Sequence, residues 1–229
     1  SGRETIDIHA VLRPAKQVGG DLYDYFMLNE DEFGFAIGDV SGKGVPAALF
    51  MSTTISQMRS VAMLDTSLNY IVNVINRSLI RNGNTSMFVT FFAGVLNLNT
   101  RRLRFCNAGH PYPEIIKPDG TVEMFKTADN LPLGVSSDYE YEEQECYFAS
   151  GSQLLLYSDG VTEAQNEDAK FYKIDRLFQF IEENKNLSSK ELVEKIIAHV
   201  DAYAGKAEQS DDLTVMSLRY EKQKGVRWL

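Results

Sequence analysis

Four stretches of this chain end an apolar or aromatic run on an aspartate beside glycine or a second aspartate. They are "VGGDLYD" with Asp21 and Asp24, "FAIGDVSG" with Asp39, "LLLYSDGV" with Asp159, and "QSDDLTVMSL" with Asp211 and Asp212. Any one alone is an ordinary strand end, because Asp and Gly make turns for local reasons. Four together imply more: the apolar context buries the neighbourhood, and carboxylates gathered there repel one another unless cations are bound. Carboxylate oxygens suit Mg²⁺ or Mn²⁺, which take few protein ligands and keep several waters. Two such ions ~3.5–4 Å apart can share a water, lower its pKa and clamp a phosphoryl group for in-line attack.

Other routes to phosphate chemistry fail on spacing. "GDVSGKG" (38–44) has the outline of a P-loop, but its spacer is short and Gly44 stands where the hydroxyl must be. Asp39 is also the wrong charge for a loop that wraps phosphate with backbone amides. A cysteine-based phosphatase needs an arginine six residues after the thiolate; Tyr112 follows Cys106 at that distance and Ser152 follows Cys146. "YSDGV" resembles the opening of haloacid-dehalogenase-like hydrolases, but Tyr157 occupies the position of their nucleophilic aspartate.

The elements that must position these aspartates read as mixed. Strand-like segments fall near 5–12, 20–28, 33–39, 87–98, 102–108, 112–117, 121–126, 139–148, 153–158 and 213–220. "LNEDE", "NLNTRR" and "KPDG" are too short for parallel crossovers, so the strands they join pair antiparallel. Helices cluster in two blocks. In the first, Leu49, Ile55, Met58 and Val61 mark one apolar face, and Leu68, Ile71, Val74 and Ile75 the other. In the second, Ser188 and Glu191 form a capping box and Gly205 closes the last helix. The pattern predicts an α+β fold, a four-layer α-β-β-α sandwich of two antiparallel sheets flanked by helices.

Composition bounds the partners. With 44% hydrophobic and 24% charged residues the chain is globular, and a net charge of −9 speaks against nucleic acid or an anionic membrane as a partner. No apolar run approaches the ~20 residues that span a bilayer. Two cysteines make no disulfide framework, which points to the cytoplasm. The chain opens Ser-Gly without methionine, read as a cleaved-tag remnant. Residues 1–229 are expected to form one domain, core about 6–220, excised from a longer regulatory protein.

"PAKQVGGDLYDYF", "FAIGDVSGKGVPAALFMS", "FVTFFAGVLNLNTRRLRFCNAGHPYPEII", "LPLGV", "GSQLLLYSDGVTEAQNE" and "SDDLTVMSLRY" occur in order. In this the chain resembles PPM-type (type 2C-like) metal-dependent serine/threonine phosphatases, in the bacterial branch typified by stage II sporulation protein E and stress-sigma-factor regulators. The resemblance implies a dinuclear Mn²⁺ or Mg²⁺ site between two sheets, with Asp39 bridging both ions and the Val40 carbonyl contributing to one. Asp21 would hold the second metal, and Asp159 with Asp211 the first. Asp39 and Asp21 are the residues most directly tied to catalysis. Asp212 would support the ligands from behind, and Asp24 is either an outer ligand through water or a surface residue.

The implied reaction is hydrolysis of phosphoserine or phosphothreonine by metal-activated water, on a regulatory protein such as an anti-anti-sigma factor. The implied partners are that phosphoprotein and an upstream sensor, in some arrangements membrane-anchored, with homodimerisation open. Two departures matter. Ser41 stands where eukaryotic relatives carry a histidine proposed to protonate the leaving group. Their phosphate-binding arginine has no secure counterpart; Arg13, Lys16 and Lys43 are candidates. His110 reads as a loop residue, and His9 and His199 as ordinary strand and helix residues. Competing readings are a catalytically weak phosphoprotein-binding module and a phosphatase for small phosphoesters.

Overall fold

The computed structural model describes residues 4–64, 67–82 and 87–222. The Ser1-Gly2 start and the flanks Thr66 and Gly83 of the second predicted helix lie outside them. Among the described residues, ten strands form two five-stranded antiparallel sheets. One sheet runs β1 (Glu4–Arg13), β10 (Leu213–Lys222), β9 (Gln153–Tyr157), β6 (Glu114–Ile116), β7 (Val122–Met124). The other runs β2 (Leu22–Met27), β3 (Glu32–Val40), β4 (Val89–Asn97), β5 (Arg102–Ala108), β8 (Gln144–Tyr147). The three short turns read from the sequence all join antiparallel neighbours.

Side chains alternate along each strand, and that alternation builds the layers. On β3, Phe33, Phe35 and Ile37 pack between the sheets with Phe92, Leu154, Leu156, Met216 and Leu218. The intervening Ala36 and Val40 face the pair α1 (Val45–Ala62) and α2 (Leu68–Asn82). On the other sheet Leu155, Tyr157 and Val215 face α4 (Ile174–Asn184) and α5 (Ser189–Ala204). The result is the predicted α-β-β-α order. Ser188 caps α5 through the expected box with Glu191, and Gly205 ends it at φ 63°.

Three expectations shift. On α1 the buried face is Ala47, Thr54, Met58 and Ala62, and Leu49 is 64% exposed. Leu49 lies about 200° around the helix from Ala47, so it cannot share that stripe. The predicted 139–148 strand shortens to Gln144–Tyr147, because Asn130 and not a ladder partner accepts from the Glu142 amide. Pro111 and Pro113, with no amide hydrogen to give, confine β6 to Glu114–Ile116. A short helix, α3 (Asp159–Thr162), also follows β9, an element not expected from the sequence.

Candidate active site

The two-residue period places the aspartates before any side-chain contact is considered. Asp39 continues the series Phe33, Phe35, Ile37, so it points into the space between the sheets at the end of β3. β2 and β3 pair with Leu22 opposite Gly38, and the Val40 amide donates to the Gly20 carbonyl at 3.3 Å. That register sets Asp21 opposite Asp39. From the facing sheet, Tyr157 pairs with Val215, and the Ser158 amide donates to the Thr214 carbonyl at 3.0 Å. Asp159 and the 211–212 pair therefore leave adjacent strands side by side. Thr214 points inward and donates to Asp21 Oδ2 at 2.6 Å, joining the two sheets at the site.

Glycine permits this closeness at two points. A Cβ on Gly160 would lie 1.9 Å from the Asp212 carbonyl oxygen, and one on Gly19 would lie 2.0 Å from Asp212 Oδ2. The space at Gly19 lets the Asp212 carboxylate accept from the amides of Ala15 (2.8 Å), Gly20 (2.6 Å) and Asp21 (3.3 Å). Asp212 thus fixes the loop that carries Asp21, and its oxygens are taken by the backbone.

Electrostatics mark three of these carboxylates, Asp39, Asp21 and Asp159. Burial, then the charges of Asp21, Asp159 and Asp211, push Asp39 well above the ordinary carboxylate range. Burial also raises Asp21, against the lowering effect of hydrogen bonds from Thr214 and Ser158. Asp159 is raised by burial, Glu163 and Asp211. Carboxylates from both sheets thus face one another with too little positive charge between them. Such a set fits hard divalent cations. Among the described residues no three His, Cys, Asp or Glu side chains already form a group that could hold a metal ion. Ions that retain most of their waters need few protein ligands each.

The remaining candidates are placed as follows. Asp24 shares the parity of Leu22 and Phe26, so it faces the helices and not the site. Its carboxylate takes two hydrogen bonds from Arg59 of α1, each 2.6 Å, and this pairing accounts for its burial. Arg13 is held by Asp201 of α5 (2.6 and 2.9 Å) and by Gln209 (2.9 Å), away from the cluster. Lys16 and Lys43 border a small recess with Asp211 and Asp212, and Lys43 Nζ lies 2.9 Å from Asp211 Oδ2. Ser41 exchanges bonds with Phe88, its amide donating to the Phe88 carbonyl and its Oγ accepting from the Phe88 amide, both 2.8 Å. That is a loop-fixing role.

Three residues that sequence reasoning left aside or discounted stand at the site. Thr214 is one, and nothing in "DDLTV" separates it from any strand threonine. Thr90 pairs across from Asp39, and its hydroxyl lies 3.0 Å from His110 Nδ1. His110 is 5% exposed, and burial lowers its pKa to about 3, so the ring is neutral. Thr90, His110 and Asp159 line a cavity of about 470 Å³ together with Asn107, Tyr112 and Asp129. His199, by contrast, packs on Phe180 and bonds the Tyr172 hydroxyl at 2.6 Å, within the helical layer.

The fold is that of PP2C phosphatase domains. The SiaA-PP2C domain of Pseudomonas aeruginosa superposes with a TM-score of 0.83 at 21% identity, over 93% of this chain and 85% of that one. The PP2C domain of SpoIIE from Bacillus subtilis, with a fragment of its regulatory domain, gives 0.82 at 20% identity, over 98% of this chain and 64% of that one. The stage II sporulation protein E (SpoIIE) family profile matches residues 29–221, and the chain belongs to that family. The phosphoserine phosphatase RsbU of Bacillus subtilis is 35% identical over 194 residues, covering 84% of this chain and 57% of RsbU. The protein IcfG of Synechocystis is 29% identical over 92% of this chain, which spans 37% of IcfG. The chain thus spans little more than half of one relative and about a third of the other.

Proposed function

We propose that this chain is a metal-dependent protein phosphatase that hydrolyses phosphoserine or phosphothreonine on a regulatory protein. The observation that carries the reading is the convergence of Asp21 and Asp39 from one sheet with Asp159 and Asp211 from the other. Divalent Mn²⁺ or Mg²⁺, two ions in the family pattern, would supply a water acidic enough to attack phosphorus directly. Asp39, Asp21, Asp159, Asp211 and the Val40 carbonyl are the groups that would hold the ions. Thr214 orients Asp21 by its 2.6 Å bond, and Asp212 holds the Asp21 loop through backbone amides. Position 41, two residues after Asp39, is a serine engaged by Phe88, so it supplies no imidazole to the leaving oxygen.

The substrate class is drawn from two sides. The cavity next to Asp159 opens at the surface and has room for residues flanking a phosphoserine. RsbU, and RsbP at 24% identity, carry the name phosphoserine phosphatase. We infer a phosphorylated anti-anti-sigma-factor-like antagonist as the protein substrate, and an upstream sensor domain as its regulator. Phosphate release from such a phosphoprotein should exceed release from p-nitrophenyl phosphate by orders of magnitude in kcat/KM. Equal values would favour a small-phosphoester enzyme.

A further inference from the structure

Lys43 sits in the loop between β3 and α1, and Gly42 and Gly44 on either side have φ of 115° and 78°. Left-handed backbone at both flanks turns the lysine out of its own sheet and toward the segment leading into β10. There Nζ lies 2.9 Å from Asp211 Oδ2 and donates to the Ser210 carbonyl at 2.7 Å. The contact spans 167 residues of sequence and ties together the ends of the two sheets that carry the acidic residues. Both side chains remain partly open, 48% for Lys43 and 39% for Asp211. Ion pairs this exposed are weak and readily exchanged. Asp212, its neighbour, is locked by three backbone amides, whereas Asp211 takes one amide, that of Asp212, on Oδ1 (2.9 Å), which leaves its Oδ2 as the oxygen of the pair able to change partners.

An ammonium and a divalent ion drawn to the same carboxylate oxygen repel each other, so occupancy by one weakens the hold of the other. Resting on the metal-site reading above, we propose that Lys43 is a tethered counter-ion that competes with the metal for Asp211 and, once displaced, binds phosphoryl oxygens. The flexible four-carbon stem keeps the released charge at the rim of the site, where a phosphomonoester dianion arrives. One side chain would therefore link metal loading to substrate capture. Its two roles oppose each other in the metal-binding constant and cooperate in the phosphate-binding constant, which makes them separable.

The test is titration calorimetry with Mn²⁺ alone, then with inorganic phosphate on the Mn²⁺-loaded protein, for the wild type, K43M, K43R and K16M. K43M should bind Mn²⁺ about threefold more tightly. K43R should stay near wild type, because the positive charge is kept. K16M alters net charge equally and should shift affinity less than K43M. Phosphate should bind loaded K43M roughly tenfold more weakly. Unchanged or weaker Mn²⁺ binding by K43M overturns the proposal, as does equal tightening in K16M or undiminished phosphate binding. Failure of every variant to bind Mn²⁺ overturns the metal-site reading itself, and this proposal with it.

Discussion

Glu114 is the clearest buried liability outside the aspartate cluster. It lies on β6 opposite Leu155 and Met124, on the face that packs against α4 and α5, and is 1% exposed. Neither carboxylate oxygen has a hydrogen-bond partner. Burial pushes its pKa up from 4.5 to about 7. The unfolded chain releases this proton near 4.5, whereas the native state keeps it until about 7. The native state therefore binds more protons across that window, and stability falls as pH rises through it. At about 1.4 kcal/mol per pH unit, the loss reaches roughly 3 kcal/mol above pH 7. E114Q keeps the shape and removes the titration. Urea unfolding of both proteins at pH 5 and pH 8 isolates the effect, since other groups titrate alike in each. E114Q should gain about 2–3 kcal/mol on the wild type between the two pH values. A stability difference that does not change with pH would refute the argument.

Further outcomes follow from single contacts. S188A removes the capping box of α5 and should cost about 1 kcal/mol in urea unfolding, with little effect on metal binding. G160A sets a Cβ 1.9 Å from the Asp212 carbonyl, so the 211–212 segment must move. Mn²⁺ affinity by calorimetry should fall at least tenfold, with circular dichroism retained. T214V removes the 2.6 Å bond to Asp21 and should weaken Mn²⁺ binding by about 10–100-fold, rescued in large part by T214S.

Much of the fold was legible because alternation and turn length are local signals. All ten strands appear near their predicted positions, and the short turns decided antiparallel pairing. The same alternation could have excluded Asp24 as a ligand, since Leu22 and Asp24 share one face and Asp21 lies on the other. What sequence could not supply is identity of contact. Arg59 comes to Asp24 from 35 residues away, and Asp201 to Arg13 from 188. No local pattern marks either pairing. The same holds for Thr214, Thr90 and Glu114, which look like any strand residue until the second sheet is laid over them. The glycine-rich loop first suggested a phosphate cradle, but its glycines aim a lysine at an aspartate on the opposite sheet.

The central claim is that four aspartates from two sheets hold the ions that run phosphoester hydrolysis. The most direct measurement is phosphate release from a phosphoserine protein substrate across a Mn²⁺ titration, for the wild type and D39N. The wild type should be inactive in EDTA and recover fully when Mn²⁺ is restored. D39N should remain at least 10³-fold slower at every Mn²⁺ concentration, since one bridging carboxylate serves both ions. Turnover in EDTA, or a D39N rate within tenfold of wild type, would contradict the account.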